Sequence, residues 1–265
     1  MHPLHALAAY FLLLLGPLTP ALAGEFPYEA RVRVPVADLR AKPSDPRPSR
    51  DHDPLEESQL LYGEPVQVLE EKEGWARVEA LEQQEWSHHK RWEGYPGWLR
   101  LSDIARTGVA PRSIPEQKAG REEILRQARQ FLGLPYYWGG RSFPDPSAKE
   151  PPHRGVDCSG LTGLAYQNGG REIPRDAHEQ WMKAKPLQRD ELQPADLVFL
   201  SDPKEGRRVT HVMLYAGGGR VIEAPGTGEN VRETELDTRL EEARAEGRKI
   251  YYGSYLADHG STSSP

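Results

Sequence analysis

The stretch GVDCSGLTGLAYQNGG, residues 155–170, holds the single cysteine of a 265-residue chain. Asp157 precedes Cys158, Ser159 and Gly160 follow, and Leu161, Leu164 and Ala165 then recur at helical spacing until Gly169-Gly170 ends the run. The thiol therefore stands where a helix begins. Unpaired backbone N–H groups and the helix macrodipole place partial positive charge there, which favours the nucleophilic thiolate form. The N–H groups of Ser159 and Gly160 are candidates to stabilise an oxyanion. Asp157 also reads as an ordinary N-cap acid. One cysteine cannot close an internal disulfide, so it is a partner for another chain, a small buried hydrophobe or a reactive group, and its neighbours favour the last.

A cysteine nucleophile needs a base. Histidines 52, 88, 89, 153, 178 and 259 fall mostly in polar segments. His211 differs. It opens VTHVMLYAGGGRVIEAPGTG (209–228), a predicted hairpin turning near Gly218, so His211 falls opposite residues near 223–225. Glu223 is placed to accept the other imidazole N–H, which completes a nucleophile, base and orienting group. A histidine at a strand mouth is also often structural, and the spacing alone leaves both readings open.

Before this site, REEILRQARQFLG predicts a helix with Ile124, Leu125, Ala128, Phe131 and Leu132 on one face. After it, DAHEQWMKAK predicts another. DLVFL, HVMLYA, GRVIEA and IYYGSYL then read as four strands. Helices followed by consecutive strands indicate an α+β domain. Upstream, ARVRVPVADLR alternates Ala30, Val32, Val34 and Val36 as one half-buried strand. EPVQVLEE, GWARVEA and PGWLRL repeat the signal, so residues 28–105 predict a small all-β barrel. Residues 106–120 read as a linker, 121–256 as the second domain and 257–265 as a disordered tail. AKPSDPRPSRDHDP (41–54) reads as a Pro-rich polar loop and residues 141–154 as an exposed loop.

Residues 1–23 carry an apolar run ending in Ala21-Leu22-Ala23, expected to be a cleaved signal peptide despite lacking Lys and Arg. The run is too short for a bilayer span, so an exported protein, periplasmic or extracellular and without stable membrane insertion, is expected. A net charge of −6 and a pI near 5.9 lack the basic surface that nucleic-acid binding calls for. The histidines lack zinc-ligand spacing, and no metal or other cofactor is expected.

PYYWGG, GVDCSGL, DLVFL and HVMLYAGGGRVIEAPGTG together resemble, in order and across 121–256, the NlpC/p-sixty family of papain-like peptidases acting on bacterial cell-wall peptides. VADLRAKPS, YGEPVQVLEE, GWARVEA and GYPGWLRLSDI resemble a bacterial SH3-like domain found on cell-wall enzymes. The combination is similar to γ-D-glutamyl-L-diamino-acid endopeptidases. The resemblance implies Cys158 as nucleophile, His211 as base and Glu223 in a third position where many members carry histidine. It also implies that Asp176, in IPRDAHEQ, binds the free amine of a murein stem peptide, with Tyr95 closing the pocket and Glu57 or Glu64 joining. Asp157 and Ser159 are expected beside the substrate. Asp176 also reads as the start of a capping box with Glu179. Trp138 reads equally as core or substrate wall; His178, Trp181 and the His88-His89 pair read as structural or solvated. The expected activity is hydrolysis of the γ-D-glutamyl–diamino-acid bond, with lysine or diaminopimelate left open. Alternatives are an endopeptidase on intact peptidoglycan with the SH3-like domain as wall anchor, a silent wall-binding protein, an amidase or an acyltransferase.

Overall fold

The computed structural model describes residues 26–45, 53–115, 118–143 and 154–256. The expected signal segment and tail lie outside them, as do His52, His153, His259 and parts of both expected loops. The first unit comprises β1 (Tyr28–Val32), β2 (Val36–Arg40), β3 (Glu56–Leu61), β4 (Pro65–Lys72), β5 (Trp75–Trp86), β6 (Trp92–Arg100) and β7 (Ile104–Ala105). They form one sheet ordered β3-β2-β6-β5-β4-β1-β7. Leu60 of β3 and Ile104 of β7, from opposite edges, share a single apolar cluster with Val32, Leu39, Val78 and Leu99. The sheet must roll up for its edges to meet there, which gives the SH3-like shape. The expected single strand over 30–40 is two. Pro35 lacks an N–H for the ladder, and the buried set shifts from Ala30 and Val32 to Ala37 and Leu39 across it.

The second unit begins with α1 (Arg121–Arg129), α2 (Cys158–Asn168) and α3 (Ala177–Lys183). It continues with β8 (Lys185–Leu187), β9 (Leu197–Ser201), β10 (Val209–Gly217), β11 (Arg220–Glu223), β12 (Arg232–Glu235), α4 (Leu236–Ala245) and β13 (Ile250–Ser254). Its sheet runs β12-β11-β10-β9-β13-β8 with antiparallel pairings. Leu197 and Phe199 of β9 face α1 and α2, whereas Val198 and Leu200 face Leu236, Leu240 and Ala243 of α4. Coverage on both faces explains why the β9 run is apolar throughout. α4 is absent from the sequence reading and interrupts the expected run of strands. Leu132, expected on the α1 face, is exposed because the helix ends at Arg129 and the chain turns.

The expected linker is pinned to both units. Arg112 donates to Glu64 Oε1 at 3.0 Å and to Asn168 Oδ1 at 3.0 Å. Arg141 pairs with the same buried Glu64 carboxylate at 3.0 and 3.1 Å and takes the Gln59 carbonyl at 2.8 Å. Buried ion pairs add little net stability when complete but are costly to break singly. They fix how the β-unit sits against α2, which determines the shape of the cleft below.

Candidate active site

Cys158 is the first residue of α2 and is buried. Asp157 caps the helix, accepting from the Gly160 N–H at 2.6 Å and from the Gly139 N–H at 3.0 Å. Glycine is required at 160, since a Cβ there would stand 2.1 Å from the Gly140 carbonyl oxygen. This contact packs the PYYWGG turn onto the start of α2. It also corrects one expectation: the Gly160 N–H is committed to Asp157, whereas those of Cys158 and Ser159, first in the helix, have no i−4 acceptor within it.

His211 and Glu223 come from β10 and β11, joined through Gly217, Gly218 and Gly219, all with positive φ, a turn that side chains with a Cβ resist. Leu214 pairs with Ile222, and continuing this register puts Glu223 diagonally beside His211. His211 Nε2 lies 2.9 Å from Glu223 Oε2, and His211 and Cys158 line one cavity. Burial alone would lower the histidine, but Cys158 and Glu223 outweigh it and hold it up at about 9. Burial would likewise raise Glu223, yet His211 with Arg239 and Arg232 holds it down at about 2. Arg232 donates to Glu223 Oε1 at 3.1 and 2.9 Å, and Arg239 Nε forms an ion pair with the same oxygen at 2.8 Å. These two arginines were not anticipated; RETELDTRL after the hairpin carries them, on β12 and α4.

A cleft of about 530 Å³ opens on one side of Cys158. Glu57, Tyr95, Trp138, Asp157, Ser159 and Asp176 all line it, so the sequence-predicted binding residues converge from both units. Glu64 does not; it is the carboxylate shared by Arg112 and Arg141. Asp176 occupies the N-cap position of α3 but makes no side-chain cap bond, contrary to the capping-box reading. Its Oδ2 accepts from the Tyr95 hydroxyl at 3.0 Å, and Glu57 lines the same cleft. Burial raises the Asp176 and Glu57 carboxyls, with Arg175 opposing in both cases. Glu179 is pushed up to about 7, first by burial and then by Asp176. Carboxylates crowded in this way favour a bound cation. Trp138 is 47% exposed, which makes it cleft wall, not core. His178 lines the cleft too, its Nδ1 accepting from the Val209 N–H at 3.1 Å.

Arg175 is a further unanticipated element. It is buried and donates to Asp157 Oδ2 at 2.8 Å, to the Ser159 hydroxyl at 3.0 Å and to the Ser58 hydroxyl of β3 at 2.7 Å. The helix cap beneath Cys158 is thereby tied to the β-unit. Among the described residues, no group of three or more His, Cys, Asp or Glu side chains is arranged to hold a metal ion.

Residues 133–247 match the family model described as "NlpC/P60 family". The chain carries an NlpC/P60 domain. Residues 48–85 match the model "Bacterial dipeptidyl-peptidase Sh3 domain". The gamma-D-glutamyl-L-lysine dipeptidyl-peptidase of Bacillus subtilis is 35% identical over 118 residues, 44% of this chain and 36% of that protein. The Bacillus cereus protein of the same name is 33% identical over 148 residues, 55% of this chain and 40% of the relative. Murein DD-endopeptidase MepH of Escherichia coli is 37% identical over 141 residues, 52% of this chain and 48% of its own length. The chain thus spans less than half the length of these curated relatives. The crystal structure of an NlpC/P60 family protein from Bacillus cereus covers 86% of this chain and 100% of its own, with a TM-score of 0.70 at 21% identity. That likeness is one of fold alone.

Proposed function

We propose that this chain is a cysteine endopeptidase that hydrolyses the γ-D-glutamyl–diamino-acid bond of murein stem peptides whose N-terminal L-Ala is free. The carrying observation is that Tyr95 and Glu57 of the SH3-like unit meet Asp176 in the cleft beside Cys158. A primary ammonium there gains charge-assisted hydrogen bonds from two carboxylates. An acetylated or sugar-linked terminus leaves those carboxylates unpaired and is rejected. The SH3-like unit then shapes the substrate site and is not merely an anchor.

In the reaction, Cys158 Sγ attacks the γ-amide carbonyl, forming a tetrahedral oxyanion beside the free N–H groups that open α2. Protonated His211 gives its proton to the leaving amine nitrogen, the C–N bond breaks and a thioester remains on Cys158. Water, deprotonated by His211, attacks the thioester and releases the acid and the thiol. Glu223 holds the ring and stabilises its charged form. The relatives named as a murein DD-endopeptidase and as gamma-D-glutamyl-L-lysine dipeptidyl-peptidases support action on wall peptides, in a periplasm or outside the cell. No helix among the described residues is long and apolar enough to cross a membrane.

Mass spectrometry of L-Ala-γ-D-Glu-diaminopimelate, its N-acetylated form and a Cys158→Ala control tests this reading. Cleavage of the free peptide alone, abolished in the variant, is expected. Equal cleavage of both forms would remove the amine pocket and favour intact peptidoglycan as substrate. No cleavage of either would favour the silent wall-binding alternative.

A further inference from the structure

A second cavity, of about 570 Å³, meets the acidic cleft at Cys158. Cys158, Tyr136 and Thr210 line both, but His211 lines only this one. Under the peptidase reading above, on which this inference rests, the proton donor must reach the leaving nitrogen. The leaving residue therefore lies on the His211 side.

The lining of this cavity is unlike that of the acidic cleft. Arg232, Arg239 and Arg248 share the lining with Glu229, Glu242 and Glu246, and each pairs with one of these, Arg232 and Arg239 holding Glu223 as well: Arg232 Nη1 with Glu229 at 2.9 Å, Arg248 Nε with Glu246 at 2.6 Å, and Arg239 Nη1 with Glu242. Arg239, Glu242 and Glu246 stand at i, i+3 and i+7 along α4 and its C-cap, so one helix face presents both signs. Each pair uses one carboxylate oxygen and leaves the other open. Arg248 Nη1 is held by the Ser201 carbonyl at 3.3 Å and the Thr210 hydroxyl at 3.2 Å, while its Nη2 has no partner among the described residues. The guanidinium is thus fixed in place with a donor to spare.

We propose that this cavity binds the leaving diamino acid and that its paired arginines and glutamates select one whose far end carries an ammonium and a carboxylate together, as diaminopimelate does, over lysine. A carboxylate takes the spare donor of Arg248, and the adjoining ammonium takes the open oxygen of Glu246 or Glu242, both as charge-assisted bonds. Lysine supplies the ammonium alone. It leaves the spare donor of a largely buried guanidinium without that partner, and sites built around polar groups discriminate against ligands that leave them unpaired. The lysine peptide in the names of the two Bacillus relatives does not carry over to this chain on that account.

The test measures kcat/KM for L-Ala-γ-D-Glu-diaminopimelate and L-Ala-γ-D-Glu-L-lysine with the full chain, its Arg248→Ala variant and its Arg248→Lys variant. The wild-type protein is expected to prefer the diaminopimelate peptide by about tenfold or more, one charge-assisted hydrogen bond's worth of discrimination. Arg248→Ala should collapse the ratio toward unity, mainly through KM for the diaminopimelate peptide. Arg248→Lys, which keeps the charge, should restore part of it. A ratio near unity in the wild-type protein, or one unchanged in Arg248→Ala, overturns the assignment while leaving the peptidase reading intact. Failure to cleave either peptide overturns both.

Discussion

Asp157 and Asp176 each immediately precede a helix, and each is followed within three residues by the features of an N-cap, yet they do opposite things. Asp157 is spent internally: it caps α2, accepts from Gly139 and is clamped by buried Arg175. Asp176 caps nothing, keeps a side chain that is 45% exposed, and turns its carboxylate to Tyr95 across the boundary between the two units. A carboxylate whose hydrogen bonds are used up supports structure; one held in place with capacity left over is available to a ligand.

The sharpest way to break that contrast is to remove each carboxylate in turn. Asp157→Ala leaves the Arg175 guanidinium buried without its main partner and frees two backbone donors. A stability loss of about 3–5 kcal/mol is expected, read by urea or thermal unfolding. An unfolding midpoint like the wild type's would show that Asp157 is not the structural member. Asp176→Ala should cost far less stability than Asp157→Ala, about 1 kcal/mol or less, since its carboxylate accepts one hydrogen bond and is partly open to solvent. Its kcat/KM on the free-amine peptide should fall on the order of 10²-fold, about two charged hydrogen bonds' worth. A melted protein or unchanged kinetics would reverse the two roles.

The two aspartates also mark where the sequence is legible. Cys158 at a helix start and the His211–Glu223 diagonal were readable because a helix N-terminus and a hairpin register are local properties. The capping-box reading of Asp176 was equally local, and it failed because a tyrosine 81 positions away competes for the carboxylate. Arg175 escaped notice for the same reason, its Ser58 partner lying 117 positions away, whereas Arg232 and Arg239 sit on β12 and α4, elements the sequence reading lacks. α4 was missed although Leu236, Leu240 and Ala243 have helical spacing, because that stripe is short within a charged segment. The split at Pro35 was visible as a missing donor and was overridden by an alternation that runs straight through it.

Glu223 extends the comparison to a carboxylate that is both structural and functional. His211, held up at about 9, stabilises the fold fully below its ordinary value of 6.5, and that contribution is lost as pH rises through about 9. Glu223, held down at about 2, contributes above its ordinary 4.5, and its share is lost as pH falls through about 2. Acylation should therefore decline above pH 9 as the imidazolium loses its proton. Glu223→Gln removes the charge that holds His211 up. The alkaline limb of kcat/KM should move to lower pH, with about a tenfold drop near pH 8, a loss of protonated base of the size expected for one shifted titration. An alkaline limb that stays in place would mean Glu223 only packs beneath the ring.

The smallest expected effect tests whether the SH3-like unit belongs to the site. Tyr95 is buried in its own unit's core, and its hydroxyl emerges to donate to Asp176. Tyr95→Phe keeps the ring and the core, so stability should change little. It removes only the donor that aligns the Asp176 carboxylate, and kcat/KM on the free-amine peptide should fall about three- to tenfold through KM, the worth of about one hydrogen bond. The decisive arm is the double variant. If Tyr95 acts by orienting Asp176, the substitution should cost almost nothing in an Asp176→Ala background, because the carboxylate it positions is gone. Additive losses would mean that the tyrosine meets the substrate independently, and the amine site would then have two separate halves instead of one carboxylate held by a neighbouring unit.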